Sequence, residues 1–451
     1  MKKDKLYAIM ALIRRYYKSS ERRGFVQLKE SHYKTSGGID IYSYKNPALN
    51  SFYISLFVKA GCMYEDERES GISHFFEHIA IRNVNAAMGG ELYPVLDGLG
   101  VDFNASTFSE MIQFYVSGAK ENFGEGAKLI TSIFSPIILT SEDISAERRR
   151  IKAEIRESDD KNTLASFTNK IVFEGTPLSY SIVGTNSSVD RVNKASLERF
   201  RKKVFTKENV FFYVTGAFCD RDIQLLGELA DKWELPSGDC RRNIAPVPEK
   251  FGKRDAGVYI KSADYTMVRF SFDLDMSRLS VPVTDLLYDI LLAGYTSKLF
   301  MEMSEKRGLF YDTSGAVERY RNIGSFYFSF EVKERELYGA VKLVCELLAS
   351  LKQKALDEEE CMKAGYVTNA FMLCDDARES NFTLAYDNHI MELGYSGISE
   401  RRDAYASVSG EDIREAAEMI FTPDNLTVTV KGNKKRIDPE RLHQIIKGEL
   451  I

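Results

Sequence analysis

The sequence predicts an α+β protein of two homologous halves, each a mostly antiparallel sheet with helices packed on one face. Three observations carry the prediction: an internal repeat at a fixed offset, short runs of alternating or continuous apolar residues, and intervening stretches with helical periodicity. Length agrees, because 451 residues exceed what one compact core organises and suit two to four domains.

The repeat is visible in "FTKENVFFYVTG" and "FTPDNLTVTVKG". Phe205, Thr206, Asn209, Val214 and Gly216 recur as Phe421, Thr422, Asn425, Val430 and Gly432, each displaced by 216 residues. Each segment follows an amphipathic stretch, "LERFRKKVF" from Leu197 and "IREAAEMIF" from Ile413, so each unit reads as helix, turn and strand. Upstream, "ENFGEGAKLITSIF" and "ELYGAVKLVCELLA" open similar helix–break–helix regions. The strand pairs "SFYISLFVKAG" and "MIQFYVSGA", then "TMVRFSFDLD" and "SFYFSFEVKE", alternate with these helices, as an antiparallel sheet covered by helices requires. Proline, glycine and charge collect between residues 235 and 257, where periodicity lapses. The expected division is therefore 1–235, a linker at 236–256, and 257–451.

Composition narrows the function. A formal net charge of -5 provides no concentrated basic face, so no nucleic-acid partner is expected. Six scattered cysteines without a C-x-x-C pair suit a reducing compartment better than a disulfide framework. The apolar run Leu6–Ile13 is short and is closed by Arg14 and Arg15, which fits neither a signal peptide nor a membrane span. The expected location is the cytoplasm, away from membranes.

Two of the five histidines fall in "SGISHFFEH", at His74 and His78, with Glu77 between them. A helix turns about 100° per residue, which places Glu77 and His78 within about 60° of His74 on one face. Imidazoles at i and i+4 reach one ion. Zinc accepts imidazole nitrogen and carboxylate oxygen, and its catalytic sites use three protein ligands plus an open position. H-x-x-E-H is a metallopeptidase signature in inverted order. A third ligand is needed, and "SAERRRIKAEIRESDD" spaces Glu147 and Glu154 by seven residues, two turns of one face. Taken by itself, that stretch equally fits a solvated, salt-bridged helix. His389 and His443 stand alone in the second half, where "DLLYDILLAGYTSKLF" replaces the histidine pair. One active site per chain is expected.

The order of these segments resembles the pitrilysin-type zinc metallopeptidases, as a half-length single-chain member. "KAGCMYEDERESGISHFFEH" is similar to the family's strand, turn and G-x-x-H-F-x-E-H. "FNAST" is similar to its N-A-x-T segment, and Glu154 follows His78 by 76 residues, as in the family's acidic helix. "PLSYSIVGTNSSVDRV" matches a further family segment loosely. The resemblance implies a zinc endopeptidase for short or unfolded peptides, with His74, His78 and Glu154 holding Zn2+. It implies Glu77 as general base, Glu147 as a supporting carboxylate, and a peptide laid beside Asn104, Ala105 and Thr107. On sequence alone "NAST" also fits a polar strand end or turn.

The second half departs from the family at one point. An Arg and a Tyr seven residues apart usually contact the peptide there; "MEMSEKRGLFYDTSG" keeps Tyr311 but has Ser304 in the Arg position. Serine cannot supply a guanidinium's charge or reach, and Arg307, three residues on, would point elsewhere on a helix end. The resemblance therefore implies the catalytic member of a heterodimer whose related partner supplies the pair, with a homodimer relying on Tyr311 and Arg307 as the alternative. A non-catalytic scaffold or partner subunit is the competing class.

Overall fold

The computed structural model describes residues 28–161, 163–238, 257–294, 296–309, 313–357 and 377–451. Tyr311, Cys240, Cys361, Cys374 and residues 239–256 of the expected linker lie outside them. The first sheet contains β1 (Glu30–Lys34), β2 (Asp40–Lys45), β3 (Ser51–Lys59), β4 (Asp102–Thr107), β5 (Met111–Ala119) and β6 (Val210–Gly216), in the order β1-β2-β6-β3-β5-β4. The second contains β7 (Gly257–Ser262), β8 (Thr266–Asp275), β9 (Thr313–Arg319), β10 (Ile323–Val332) and β11 (Leu426–Gly432), in the order β7-β11-β8-β10-β9. Apart from β1 the two orders superpose, and in each the late strand returns parallel to the first repeated one, β6 beside β2 and β11 beside β7. The remaining pairings are antiparallel, so the expected fold class is the observed one.

The repeat extends to single hydrogen bonds. Asn209 donates to the carbonyls of Lys59 and Val204, at 2.9 and 2.8 Å. Asn425, its counterpart 216 residues on, donates to Asp273 and Ile420 at 3.0 and 2.9 Å. Each side chain closes a helix end against the strand that runs beside it, which satisfies carbonyls that the helix itself leaves open.

Among the described residues, the helices of the first half are α1 (Ile72–Ala87), α2 (Leu92–Leu99), α3 (Phe123–Thr131), α4 (Ser141–Lys161), α5 (Thr163–Val172), α6 (Asn186–Arg191), α7 (Lys194–Val204) and α8 (Asp220–Asp231). Those of the second are α9 (Val281–Leu292), α10 (Leu337–Gln353), α11 (Ala377–Ala385), α12 (Ile398–Ala406), α13 (Gly410–Ile420) and α14 (Pro439–Glu449). Strand alternation explains the packing on both faces. On β3, Phe52, Ile54, Leu56 and Val58 enter the core beneath the first half's own helices, whereas Phe57 faces the other way and meets Leu384, Ala385 and Ile390.

Those last three belong to the second half. Helix α11 lies on β3 and β6 of the first sheet, and α5 of the first half lies on β8 and β11 of the second. The halves thus exchange one helix each, so packing crosses the boundary that chain order suggests. Polar pins mark both crossings. Thr168 of α5 and Thr429 of β11 share a buried bond of 2.6 Å. Asn381 of α11, fully buried, donates to the carbonyls of Tyr53 and Tyr213 at 3.2 and 2.9 Å and accepts from Ser55 at 2.6 Å. Removing one member of such a network leaves buried groups unsatisfied, at about 1–3 kcal/mol. Asn381→Ala should lower stability by about that much; an unchanged urea midpoint would show that water replaces the side chain without penalty.

Candidate metal centre

Helix α1 begins where the chain turns sharply after β3. Gly61 has φ +99°, and a Cβ there would lie 2.2 Å from the Phe108 carbonyl oxygen, so only glycine fits. The Glu65 carboxylate, almost fully buried, accepts from the backbone N–H groups of Gly71 and Ser73, both at 2.8 Å. Burial pushes its pKa up, against the pull of those bonds. It completes donors that open at any helix start and sets the axis of α1 one residue before His74. A Cβ on Gly71 (φ +87°) would lie 2.6 Å from the Gly184 Cα, and one on Gly184 (φ +76°) would lie 2.6 Å from the Ser70 carbonyl oxygen. The loop containing "SIVG" can therefore seat on the helix start.

Three side chains converge. His74 Nε2 and His78 Nε2 lie 3.7 and 3.5 Å from Glu154 Oε2, and one ligand atom from each residue falls within 4.8 Å of the others. Ligands about 2.1 Å from a tetrahedral zinc stand about 3.4 Å apart, so the donor set and its spacing fit that ion. The helices supply the geometry: His74 and His78 come from successive turns of α1, and Glu154 from α4, which packs across it. Burial and the neighbouring His78 push the His74 pKa down to about 4, so its imidazole is neutral with a lone pair to offer at neutral pH.

Glu147 occupies the other side of His78. Its Oε1 is 3.0 Å from His78 Nδ1, and it also accepts from Arg150 at 3.1 Å, while Oε2 accepts from Arg82 at 3.1 Å. Arg82 bonds Asp143 as well, at 3.2 Å. Burial alone would raise the Glu147 pKa, but the His78 bond and the two guanidinium groups outweigh it and hold the carboxyl below its usual range. An ionised Glu147 accepts a hydrogen bond from Nδ1–H, which keeps the proton on that nitrogen and leaves the Nε2 lone pair of His78 toward Glu154. Burial presses His78 toward neutrality, yet Glu147 and the charges of Glu154 and Glu77 raise its basicity overall. Glu147→Gln should weaken metal binding by about 10–100-fold; zinc titration of the variant checks this, and an unchanged affinity would remove Glu147 from the site.

Glu77 faces the same space. Its Oε2 accepts from the Thr107 hydroxyl at 2.8 Å. Burial raises its proton affinity, with Thr107 and His78 opposing and Glu154 adding to the rise. Thr107 ends β4, the edge strand of the first sheet, which pairs with β5 on one side. Ala105 is half-buried there and Asn104 is exposed. Arg307 is engaged elsewhere: it donates to the Glu302 carbonyl at 2.9 Å and to its carboxylate at 2.8 Å. His389 stacks on Tyr42 at 3.6 Å between the halves, a packing histidine. Glu65, Arg82, Asp143 and Arg150 join the site only through the fold. Arg82 follows His78 by four residues and Arg150 follows Glu147 by three, so same-face spacing was the available signal.

Fold and cluster together define a two-half α+β protein with a candidate His–His–Glu metal centre in its first half. Comparison with known proteins places it further. Residues 41–186 match "Insulinase (Peptidase family M16)" and residues 191–364 match "Peptidase M16 inactive domain". The chain belongs to the peptidase M16 family. It is 25% identical over 409 residues to an "Uncharacterized zinc protease" of Rickettsia bellii, covering 89% of this chain and 97% of that protein. It is 27% identical over 209 residues to the mitochondrial-processing peptidase subunit beta of Caenorhabditis elegans, covering 45% and 44%. Its fold matches a crystal structure of a peptidase M16 inactive domain from Pseudomonas fluorescens, with TM-score 0.79 and 16% identity over 90% of this chain and 99% of that one.

Proposed function

We propose that the chain is a zinc-dependent endopeptidase acting on short or unfolded peptides, of the processing or leader-peptide kind. The observation that carries this reading is the convergence of His74, His78 and Glu154 beside a carboxylate, Glu77, held by Thr107. His74, His78 and Glu154 would hold the ion, and zinc, when bound, supplies Lewis acidity and lowers the pKa of water toward ~7. Glu77, partly buried beside the centre, takes a proton from the attacking water and returns it to the leaving amine. Glu147 orients His78. Among the described residues strand β4 is paired on one side only, so an extended peptide can add at its other edge, near Asn104 and Ala105, by main-chain hydrogen bonds that demand little of its sequence. Tyr311 is a further proposed peptide contact.

Residues 1–235 form the zinc-bearing half in this reading, with 257–451 the half without zinc. No helix among the described residues is long and apolar enough to cross a membrane. The cytoplasm is the proposed working place because six scattered cysteines without a C-x-x-C pair suit a reducing compartment. Cleavage of a quenched fluorescent peptide should stop when phenanthroline removes zinc and return when zinc is restored. Cleavage indifferent to the chelator would sink the proposal.

The pairing of Arg307 with Glu302 supports a heterodimer over self-sufficiency, because it occupies the guanidinium offered three residues on from Ser304 as a replacement for the lacking arginine. A related subunit, as the word "subunit" in the nematode relative's name suggests for that protein, would complete the peptide site. The isolated chain should bind zinc yet cleave weakly. A fully active homodimer, unaffected by Ser304→Arg, would end that idea. The competing reading, a non-catalytic partner subunit, draws on the "inactive domain" match over residues 191–364; a zinc-loaded chain inert both alone and with its partner would favour it.

A further inference from the structure

We infer that Thr107 is a positioning residue for Glu77, its hydroxyl serving the carboxylate and not a bound peptide; this rests on Glu77 being the base. The Thr107 hydroxyl donates to Glu77 Oε2 at 2.8 Å, and among the described residues it is the one hydrogen-bond partner of that side chain. A glutamate on a helix has three rotatable side-chain bonds and, unheld, samples several rotamers. The bond fixes the carboxylate plane and engages one oxygen, leaving Oε1 to receive the proton. A hydroxyl has a single proton to donate, so the same group cannot at once donate to a peptide carbonyl.

The platform under Thr107 is rigid. As a β-branched residue it has a restricted χ1, and its backbone pairs with Ile112 of β5. The hairpin beyond it is tied down: Phe108 N–H donates to Met111 at 2.8 Å, Met63 N–H to Ser109 at 3.0 Å and Ala60 N–H to Glu110 at 3.3 Å. The second half clamps the same hairpin. The Tyr386 hydroxyl lies 3.0 Å from Glu110 Oε2, and Phe382 packs on Phe108 with ring centroids 5.3 Å apart. Thr107 is therefore held in place to aim Glu77 and is not free to follow a substrate.

The test separates turnover from grip. In the zinc-loaded full chain, with its partner subunit if one is needed for activity, Thr107→Val removes the hydroxyl at nearly constant volume. It should lower kcat by about 10- to 100-fold, with KM within about twofold of the parent and zinc content unchanged. Thr107→Ser, which keeps the hydroxyl, should restore most of the turnover. Thr107→Ala provides the same measurement if valine crowds the hairpin. A raised KM with unchanged kcat would reassign Thr107 to the peptide. Zinc lost in proportion to turnover would reassign it to the architecture of the metal site, and wild-type kinetics would leave the bond without consequence; each overturns the inference. Glu77→Gln measured alongside separates the two levels. If that variant is active, the base assignment fails; if it is inert while Thr107→Val turns over normally, only the positioning role fails.

Discussion

Glu77→Gln is expected to retain zinc and lose peptide hydrolysis by about 10²–10⁴-fold, the range general base catalysis contributes. The exchange is nearly isosteric, and the amide oxygen can still accept from Thr107, whose hydroxyl now lies 2.8 Å from the carboxylate. Helix α1 therefore keeps its shape and presents His74 and His78 as before. What disappears is the capacity to take and return a proton. Burial raises the proton affinity of Glu77, so the native carboxylate is a better base than an exposed one, and the amide has no substitute for that. Metal analysis and turnover of a fluorescent peptide on the same preparation check both halves of the expectation. Hydrolysis at the parent rate would remove Glu77 from the mechanism.

Glu154→Gln is expected to weaken zinc binding more than the about 10–100-fold assigned to Glu147→Gln. Glu154 Oε2 is the oxygen that approaches both imidazole Nε2 atoms, at 3.7 and 3.5 Å. Its replacement takes away the one anionic donor of the set, and a neutral amide is a weak ligand for zinc. Glu147 touches Nδ1 of His78, so its loss loosens a ligand without deleting one. Competition with a chromophoric chelator gives both affinities. If Glu147→Gln proves the more damaging change, the two carboxylates exchange roles.

The sequence by itself determined what depends on near neighbours in the chain. The 216-residue repeat announced two sheets of one topology, because a strand or helix is written in periodicity that local residues dictate. The four-residue spacing of His74 and His78, with Glu77 between, placed all three on one helical face before any packing was known. The seven-residue spacing of Glu147 and Glu154 likewise put both on one face of α4.

Only the tertiary structure decided which partner each of these meets. Two carboxylates on one face are alike in the sequence, and the crossing of α4 over α1 is what sets Glu154 between the Nε2 atoms and Glu147 against Nδ1. The amphipathic pattern of α5 and α11 shows that each buries a face, but not that each buries it on the other half's sheet, since burial is favourable against any apolar surface. Thr107 illustrates the same limit. Its place in "FNAST" suggested a contact for a peptide, yet β4 and α1 bring its hydroxyl to Glu77 across thirty residues of chain. Periodicity specifies a face, whereas the packing of distant elements selects what that face touches.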